Sequence, residues 1–204
     1  TLDALTNLTE RYEGYGGSVK KVMEQKETEK GIIGVVADII KVDEKYETAI
    51  ETALGGNIQN IVTEDEDTAK KMIAFLKENH YGRATFLPLT SVDGRGNFKK
   101  QEALGEKGVI GLANELVDCD KKFDGVVTYL LGRVVVVDEI DHAIALAKKN
   151  HYSLHIVTLE GEYLSPGGSI AGGAFKRKGN LLSRNREIEQ LEEEITALEK
   201  ETKE

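Results

Sequence analysis

The run Ser165-Pro166-Gly167-Gly168-Ser169-Ile170-Ala171-Gly172-Gly173 is the part of this sequence with the clearest chemical potential. Closely spaced glycines can do one of two things. Their N–H groups can cradle a phosphate where a loop leads into a helix. Alternatively, the missing side chains let two backbones approach closely, or let the chain take positive φ at a junction between subunits. The phosphate loop of common NTPases ends on Gly-Lys-Ser or Gly-Lys-Thr, whereas Gly173 is followed by Ala174 and Phe175. No strand-loop-helix unit with a later acidic ribose contact fits the sequence. The close-approach reading is favoured, with a nucleotide or small-molecule site on 165–173 as the alternative.

Directly after the glycines stand Lys176, Arg177 and Lys178, then Arg184 and Arg186, with no acid between 176 and 186. Lys20 and Lys21 follow the first helical stretch. Clustered cations attract phosphate even in a chain whose average charge repels it. The plain alternative for such a run is a solvated cationic surface. The remaining reactive side chains have plainer explanations. His80 and His151 end two similar helical stretches, where a histidine meets the negative end of the helix dipole. His142 and His155 have no ligand spacing around them. The acids Glu64, Asp65, Glu66 and Asp67 precede a helical pattern and suit its N-terminus, and they lack the spacing of a calcium loop. Cys119 is the single cysteine, so it offers neither an internal disulfide nor a zinc motif. No metal, no cofactor and no catalytic residue are expected.

The whole chain has 204 residues, 40% of them hydrophobic, and a formal charge of −9. That is enough apolar material for a buried core. The acidic average argues against a generic nucleic-acid binder and restricts any DNA contact to a local patch. There is no apolar run of membrane-spanning length and no hydrophobic leader in the first residues, so no membrane partner is expected, and a lone cysteine suits a reducing cytoplasm.

The core repeats itself. Gly31-Ile32-Ile33-Gly34-Val35 is matched by Gly108-Val109-Ile110-Gly111-Leu112, each followed by Ala and an Asp or Asn (Ala37-Asp38 and Ala113-Asn114), and in register with these Tyr46 is matched by Phe123 and Leu54-Gly55 by Leu131-Gly132. β-rich stretches follow at 58–62 and 134–137, then helical patterns at 68–77 and 141–149. Both patterns end on the same tripeptide, Asn79-His80-Tyr81 and Asn150-His151-Tyr152, before strand-like runs at 84–87 and 154–159. Each copy therefore reads as a helical segment, a strand, a helix and a strand. The segment between them carries Asp93-Gly94-Arg95-Gly96-Asn97 and suits an exposed connector.

At the C-terminal end, Ile188, Leu191, Ile195 and Leu198 follow the spacing of a coiled-coil seam. Leu5, Leu8 and Tyr12 repeat it at the other end, until Gly14, Gly16 and Gly17. Each stripe needs a partner, and the two are expected to pair antiparallel. The sequence opens and closes inside helix-like stretches, so a longer parent chain is expected.

Taken together, these parts resemble the hinge of bacterial SMC (structural maintenance of chromosomes) proteins across essentially the whole chain. The carriers are Gly14-Tyr15-Gly16-Gly17, the two repeats, the 165–173 glycine element, Phe175-Lys176-Arg177-Lys178 and Leu181-Leu182-Ser183-Arg184. The resemblance implies an α+β fold of two similar α/β-like subdomains flanked by antiparallel coiled-coil helices. Its divisions are an incoming helix at 1–13, subdomain I at 14–90, a linker at 91–107, subdomain II at 108–180 and an outgoing helix at 181–204. It implies a homodimer, with Gly167, Gly168, Gly172 and Gly173 at the interface. It also implies weak contact with single-stranded or exposed DNA through Lys176, Arg177 and Lys178, and through Lys20 and Lys21. The parent would be a cytoplasmic, nucleoid-associated ATPase of chromosome condensation and segregation. Its heads lie outside this sequence and alone would meet kleisin-type subunits. The zinc hook, another way of joining coiled-coil arms, needs a Cys-x-x-Cys that is absent.

Overall fold

The opening pentapeptides of the two copies become strands, β1 (Ile32–Val35) and β5 (Val109–Leu112). Both pair antiparallel with the strand after next, β1 with β3 (Ile61–Thr63) and β5 with β7 (Val134–Val137). The register slips at the same place in each, between Ile32 and Gly34 and between Val109 and Gly111. A shared irregularity of this kind is a built feature of the repeat. The computed structural model describes residues 15–94, 96–174 and 181–203. The expected incoming helix at 1–13 and the basic tripeptide at 176–178 lie outside those residues.

Each copy continues through a short helical turn, which is α2 (Val36–Ile39) in the first and a 3₁₀ turn, Ala113–Leu116, in the second. Strands β2 (Ile40–Val42) and β6 (Val117–Cys119) come next and pair with each other. Helices α3 (Glu47–Leu54) and α5 (Asp124–Leu131) precede β3 and β7. Then α4 (Glu66–Glu78) leads to β4 (Phe86–Pro88), and α6 (Ile140–Lys149) to β8 (His155–Thr158). β4 and β8 lie parallel to β3 and β7, as the helical crossovers require. Before the first copy stands α1 (Gly17–Met23); after the second come β9 (Tyr163–Leu164), β10 (Ile170–Ala171) and α7 (Leu181–Lys203).

The chain forms two compact units, and neither is a simple half of it. Unit 1 takes residues 1–39, 55–97 and 119–132; unit 2 takes 40–54, 98–118 and 133–204. Segment 40–54 of the first copy, with α3, belongs to unit 2, and segment 119–132 of the second copy, with α5, belongs to unit 1. In unit 1 the sheet order is β1-β3-β4. In unit 2 it is β5-β7-β8-β9-β10, two strands longer.

Four consecutive valines make β7 a β-branched strand buried along its whole length. Val135, Val137 and Ile156 share a core with Ala143, Leu146 and Ala147 of α6. Phe98 and Ala103, from the segment that reads as a connector, are part of the same core. In unit 1 Val22, Met23, Val35, Ile61 and Val62 are almost fully buried. Burying a side chain of this size contributes about 1.5–3 kcal/mol. The connector is also tight in unit 1, where a Cβ on Gly94 would meet Thr128 of α5 at 2.5 Å.

The repeated Asn-His-Tyr tripeptides are helix caps. His80 and His151 take φ of 54° and 56°, the left-handed conformation. The N–H of Tyr81 donates to the C=O of Leu76 at 3.0 Å and that of His80 to Lys77 at 3.3 Å. The N–H of Tyr152 donates to Ala147 at 2.8 Å and that of His151 to Lys148 at 3.2 Å. This is the Schellman pattern, normally closed by glycine. A non-glycine residue there costs about 1–2 kcal/mol, partly offset by the unfolded-state entropy that glycine would add. His80→Gly and His151→Gly are each expected to stabilise the fold by about 0.5–1 kcal/mol, raising Tm by about 1–4 °C at this chain length. Thermal unfolding followed by circular dichroism checks this, and a lower Tm in both variants would contradict it.

Candidate interface surfaces

The glycine element is the hairpin between β9 and β10, at the edge of the five-stranded sheet. Its turn is closed by the N–H of Gly168 donating to the C=O of Ser165 at 3.1 Å and the N–H of Ser165 donating to Ser169 at 3.0 Å. Gly167 and Gly168 take φ of 96° and 102°, and Gly173 takes 143°, conformations that favour glycine. The turn rests on the cap of α6. The N–H of Gly167 donates to the C=O of Tyr152 at 2.8 Å, and a Cβ on Gly168 would lie 3.6 Å from the Tyr152 ring. The second repeat's cap thus positions the hairpin.

Beyond the turn the strand is bare. Ile170 is 55% exposed, and Ala171, Gly172, Gly173 and Ala174 are exposed. Ile170 faces Leu164 and Ala171 faces Tyr163. Since Ser165 and Ser169 form a hydrogen-bonded pair, the alternation of an antiparallel ladder turns the main-chain groups of Ile170 and Gly172 away from β9. These groups are the outer edge of the sheet. Beneath it, His155 and Tyr163 share a hydrogen bond of 2.7 Å. Partial burial, helped by Arg133, holds His155 below the usual histidine range, and burial pushes the Tyr163 phenol up. Both shifts favour the neutral form of the side chain. Gly167 and Gly168 lead from strand to strand, and no helix begins among the described residues that follow, up to Ala174.

The basic residues fall into separate places. Lys20 and Lys21 sit in the last turn of α1, in unit 1. The Lys21 ammonium lies 5.0 Å from the ring centre of Tyr81, a surface aromatic in edge contact with Phe75. Arg186 is not a free cation. Its Nε donates to Glu47 Oε1, and its guanidinium also lies 3.7 Å from Glu44. Glu47 is 4% exposed, so this pairing satisfies a buried charge. One turn along α3, Glu51 accepts the N–H of Leu181, the first residue of α7, at 2.9 Å. Its other oxygen is buried without a partner among the described residues, and burial raises its carboxyl above the usual range.

Glu44, Glu47 and Glu51 drew no attention in the sequence, although a signal was present. In the register that matches Tyr46 with Phe123, Glu51 stands where the second copy has Thr128, and Glu44 where it has Lys121. Glu47 itself stands opposite Asp124, another carboxylate, so only Glu44 and Glu51 differ in type between the copies.

The remaining polar groups are local. Asp65 caps α4 by accepting the N–H of Thr68 at 2.8 Å. The hydrogen bonds from Thr68 hold its carboxyl below the usual range. His142 Nδ1 lies 2.7 Å from Asp138 at the start of α6. Cys119 Sγ lies 3.5 Å from Asp124. Among the described residues no group of three or more His, Cys, Asp or Glu side chains could hold a metal ion, and no helix is long and apolar enough to cross a membrane. Unit 1 has a polar cleft of about 340 Å³ lined by Gly16, Ser18, Gln59, Asn60 and Arg83, among others. Its rim is fastened by the Gly16 N–H to Gln59 and by the Ser18 hydroxyl to the Arg83 carbonyl.

Residues 29–147 match the family model of the SMC proteins' flexible hinge domain. The chain is 43% identical over 200 residues to the chromosome partition protein Smc of Halothermothrix orenii, covering 97% of this chain and 17% of that protein. The chain thus spans about a sixth of the length of this curated relative. Among solved structures it is similar to the asymmetric dimer of the Geobacillus stearothermophilus SMC hinge domain. The TM-score is 0.83 and the identity 38%, over 97% of this chain and 80% of that one. It is also similar to the Pyrococcus furiosus Smc hinge domain with an extended coiled coil, with a TM-score of 0.59 and 31% identity, over 98% of this chain and 76% of that one.

Proposed function

Because the chain belongs to the family of SMC flexible hinge domains, we propose that it joins two coiled-coil arms by homodimerisation through its sheet edges. The observation that carries this reading is the bare β10 edge, with glycines on both sides of it. An open edge is a template for another strand. The two units suggest which strand. The unit 2 sheet runs two strands past its parallel β8, whereas the unit 1 sheet stops at β4. β4 ends on Pro88, a residue suited to an edge because it has no N–H to donate. In this reading β10 of one copy lies beside β4 of the other. A two-fold axis repeats that contact, giving two identical junctions and a closed pair.

In this reading α7 is one helix of the arm. On α7 Leu191, Ile195 and Leu198 are 58%, 54% and 62% exposed. This stripe at heptad spacing calls for a second helix, and the incoming sequence supplies one. The hinge is noncatalytic. In the parent protein it would hold together a chromosome-partitioning ATPase of the cytoplasm and nucleoid, whose heads alone meet kleisin-type subunits. Lys176, Arg177 and Lys178, which precede α7 in the sequence, make weak contact with single-stranded or exposed DNA. Lys20 and Lys21 contribute beside the exposed Tyr81 ring, on which a base can stack.

Mixing two variants tests the junction. In a Cys119→Ser background, Ile170→Cys is prepared in one batch of chain and Thr85→Cys, beside β4, in a differently tagged batch. A short bismaleimide is expected to yield the mixed covalent dimer as the main product. Predominant linkage of Ile170→Cys to itself would place β10 against β10 and overturn the pairing.

A further inference from the structure

We infer that segment 40–54 of the first copy is a seat that fixes how α7 leaves the hinge, with Arg186 as its positioning residue. The inference rests on the reading of α7 as an arm. Four contacts, spaced along the first turns of α7, run from this one segment. Glu51 receives the Leu181 N–H, Glu47 and Glu44 receive the Arg186 guanidinium, and Lys41 pairs with Glu189 at 2.8 Å. Leu182, 5% exposed, is buried between the first two of these. Beyond Glu189 no comparable contact holds the helix among the described residues, and Leu191, Ile195 and Leu198 of its apolar stripe are exposed.

The contacts differ in weight. Lys41 and Glu189 are both well exposed, so that pair is screened and contributes little. Glu47 is different: its side chain is 5% exposed against 27% for Arg186. A charge buried that far is tolerated only while its partner stays in place. Arg186 therefore has one low-energy position relative to α3, and the direction of α7 follows from it.

The chain path gives the seat a second consequence. Segment 40–54 is counted with unit 2, yet the residues on either side of it, up to 39 and from 55, belong to unit 1. The seat is therefore continuous in sequence with unit 1 at both of its ends.

Hydrogen exchange on the whole 204-residue chain tests this. In Arg186→Met, the amides of the first three turns of α7 are expected to exchange at least tenfold faster, while those of α6 and β7 and the solution mass stay unchanged. Glu47→Gln is expected to do the same, and the double variant to exchange no faster than the single variants, because both remove one interaction. Unchanged exchange in α7, or effects of the two changes that simply multiply, would overturn the inference. Should Arg186→Met fail to fold, Arg186→Lys decides. It keeps the charge but loses the planar fork, so partial loss of protection confined to α7 is expected, and wild-type protection overturns the proposal. A monomeric wild-type protein would sink the hinge reading but leave these exchange results standing, so the two failures are distinguishable.

Discussion

Gly172→Pro is expected to split the dimer while leaving each chain folded. The alternation of the β9–β10 ladder turns the N–H of Gly172 outward, away from its own sheet. Proline deletes that donor and puts a ring on the edge where a second backbone should lie. Within the chain the new atoms meet mainly the flexible Glu162 side chain, whose Cγ would lie 3.0 Å from an added Cβ. Losing a hydrogen bond costs about 1.5 kcal/mol at each junction. The two-fold axis doubles that to about 3 kcal/mol, on the order of a 100-fold weaker dimer. Sedimentation at a series of concentrations reads the shift, and thermal unfolding confirms that the fold survives. An unchanged dimer would show that the edge of β10 is not where the two copies meet.

The second large effect concerns DNA. Reversing Lys176, Arg177 and Lys178 to glutamate is expected to lower affinity for single-stranded DNA on the order of 100-fold at about 0.1 M salt, since each lost phosphate contact forfeits its counterion release. The slope of log affinity against log salt should fall by about 2. In a chain of net charge −9 there is little diffuse attraction to replace the patch. Fluorescence anisotropy across a salt series measures both quantities. Equal affinity in the reversed variant, or binding that ignores salt, would remove DNA from the account. Arg186 belongs outside this patch because it is committed to Glu47.

Some of this was legible from the sequence because it rests on local rules. Period and β-branching locate α4, α6, β7 and β8 to within about two residues, since each buries a full face and has clear ends. The identical Asn-His-Tyr endings pointed to equivalent helix ends, and the Schellman caps are there. Gly167, Gly168 and Gly173 are glycines at positions that take positive φ, a requirement that shows in the residue type itself. Strands β1, β2, β5 and β6 are each interrupted by a glycine or a charged residue and carry too little pattern to stand out, whereas β7 is four consecutive valines.

The exchange of α3 and α5 between the units is of another kind. Ala49, Ile50 and Leu54 announce a buried face, but an apolar stripe does not say which sheet it covers. Phe98 and Ala103 were similarly masked by the Gly-rich residues just before them, which read as a connector while the chain was already entering the unit 2 core. The pairing of Glu47 with Arg186 joins residues 139 apart. No local rule reaches that far, and its only trace was that Glu44 and Glu51 differ in type from their counterparts in the second copy.

Sedimentation equilibrium of the unaltered chain tests the central claim most directly. A mass near twice 22.4 kDa at micromolar concentration is the predicted result. A mass of 22.4 kDa throughout that range would contradict dimerisation through the sheet edges, and would return the glycine hairpin to consideration as a ligand site.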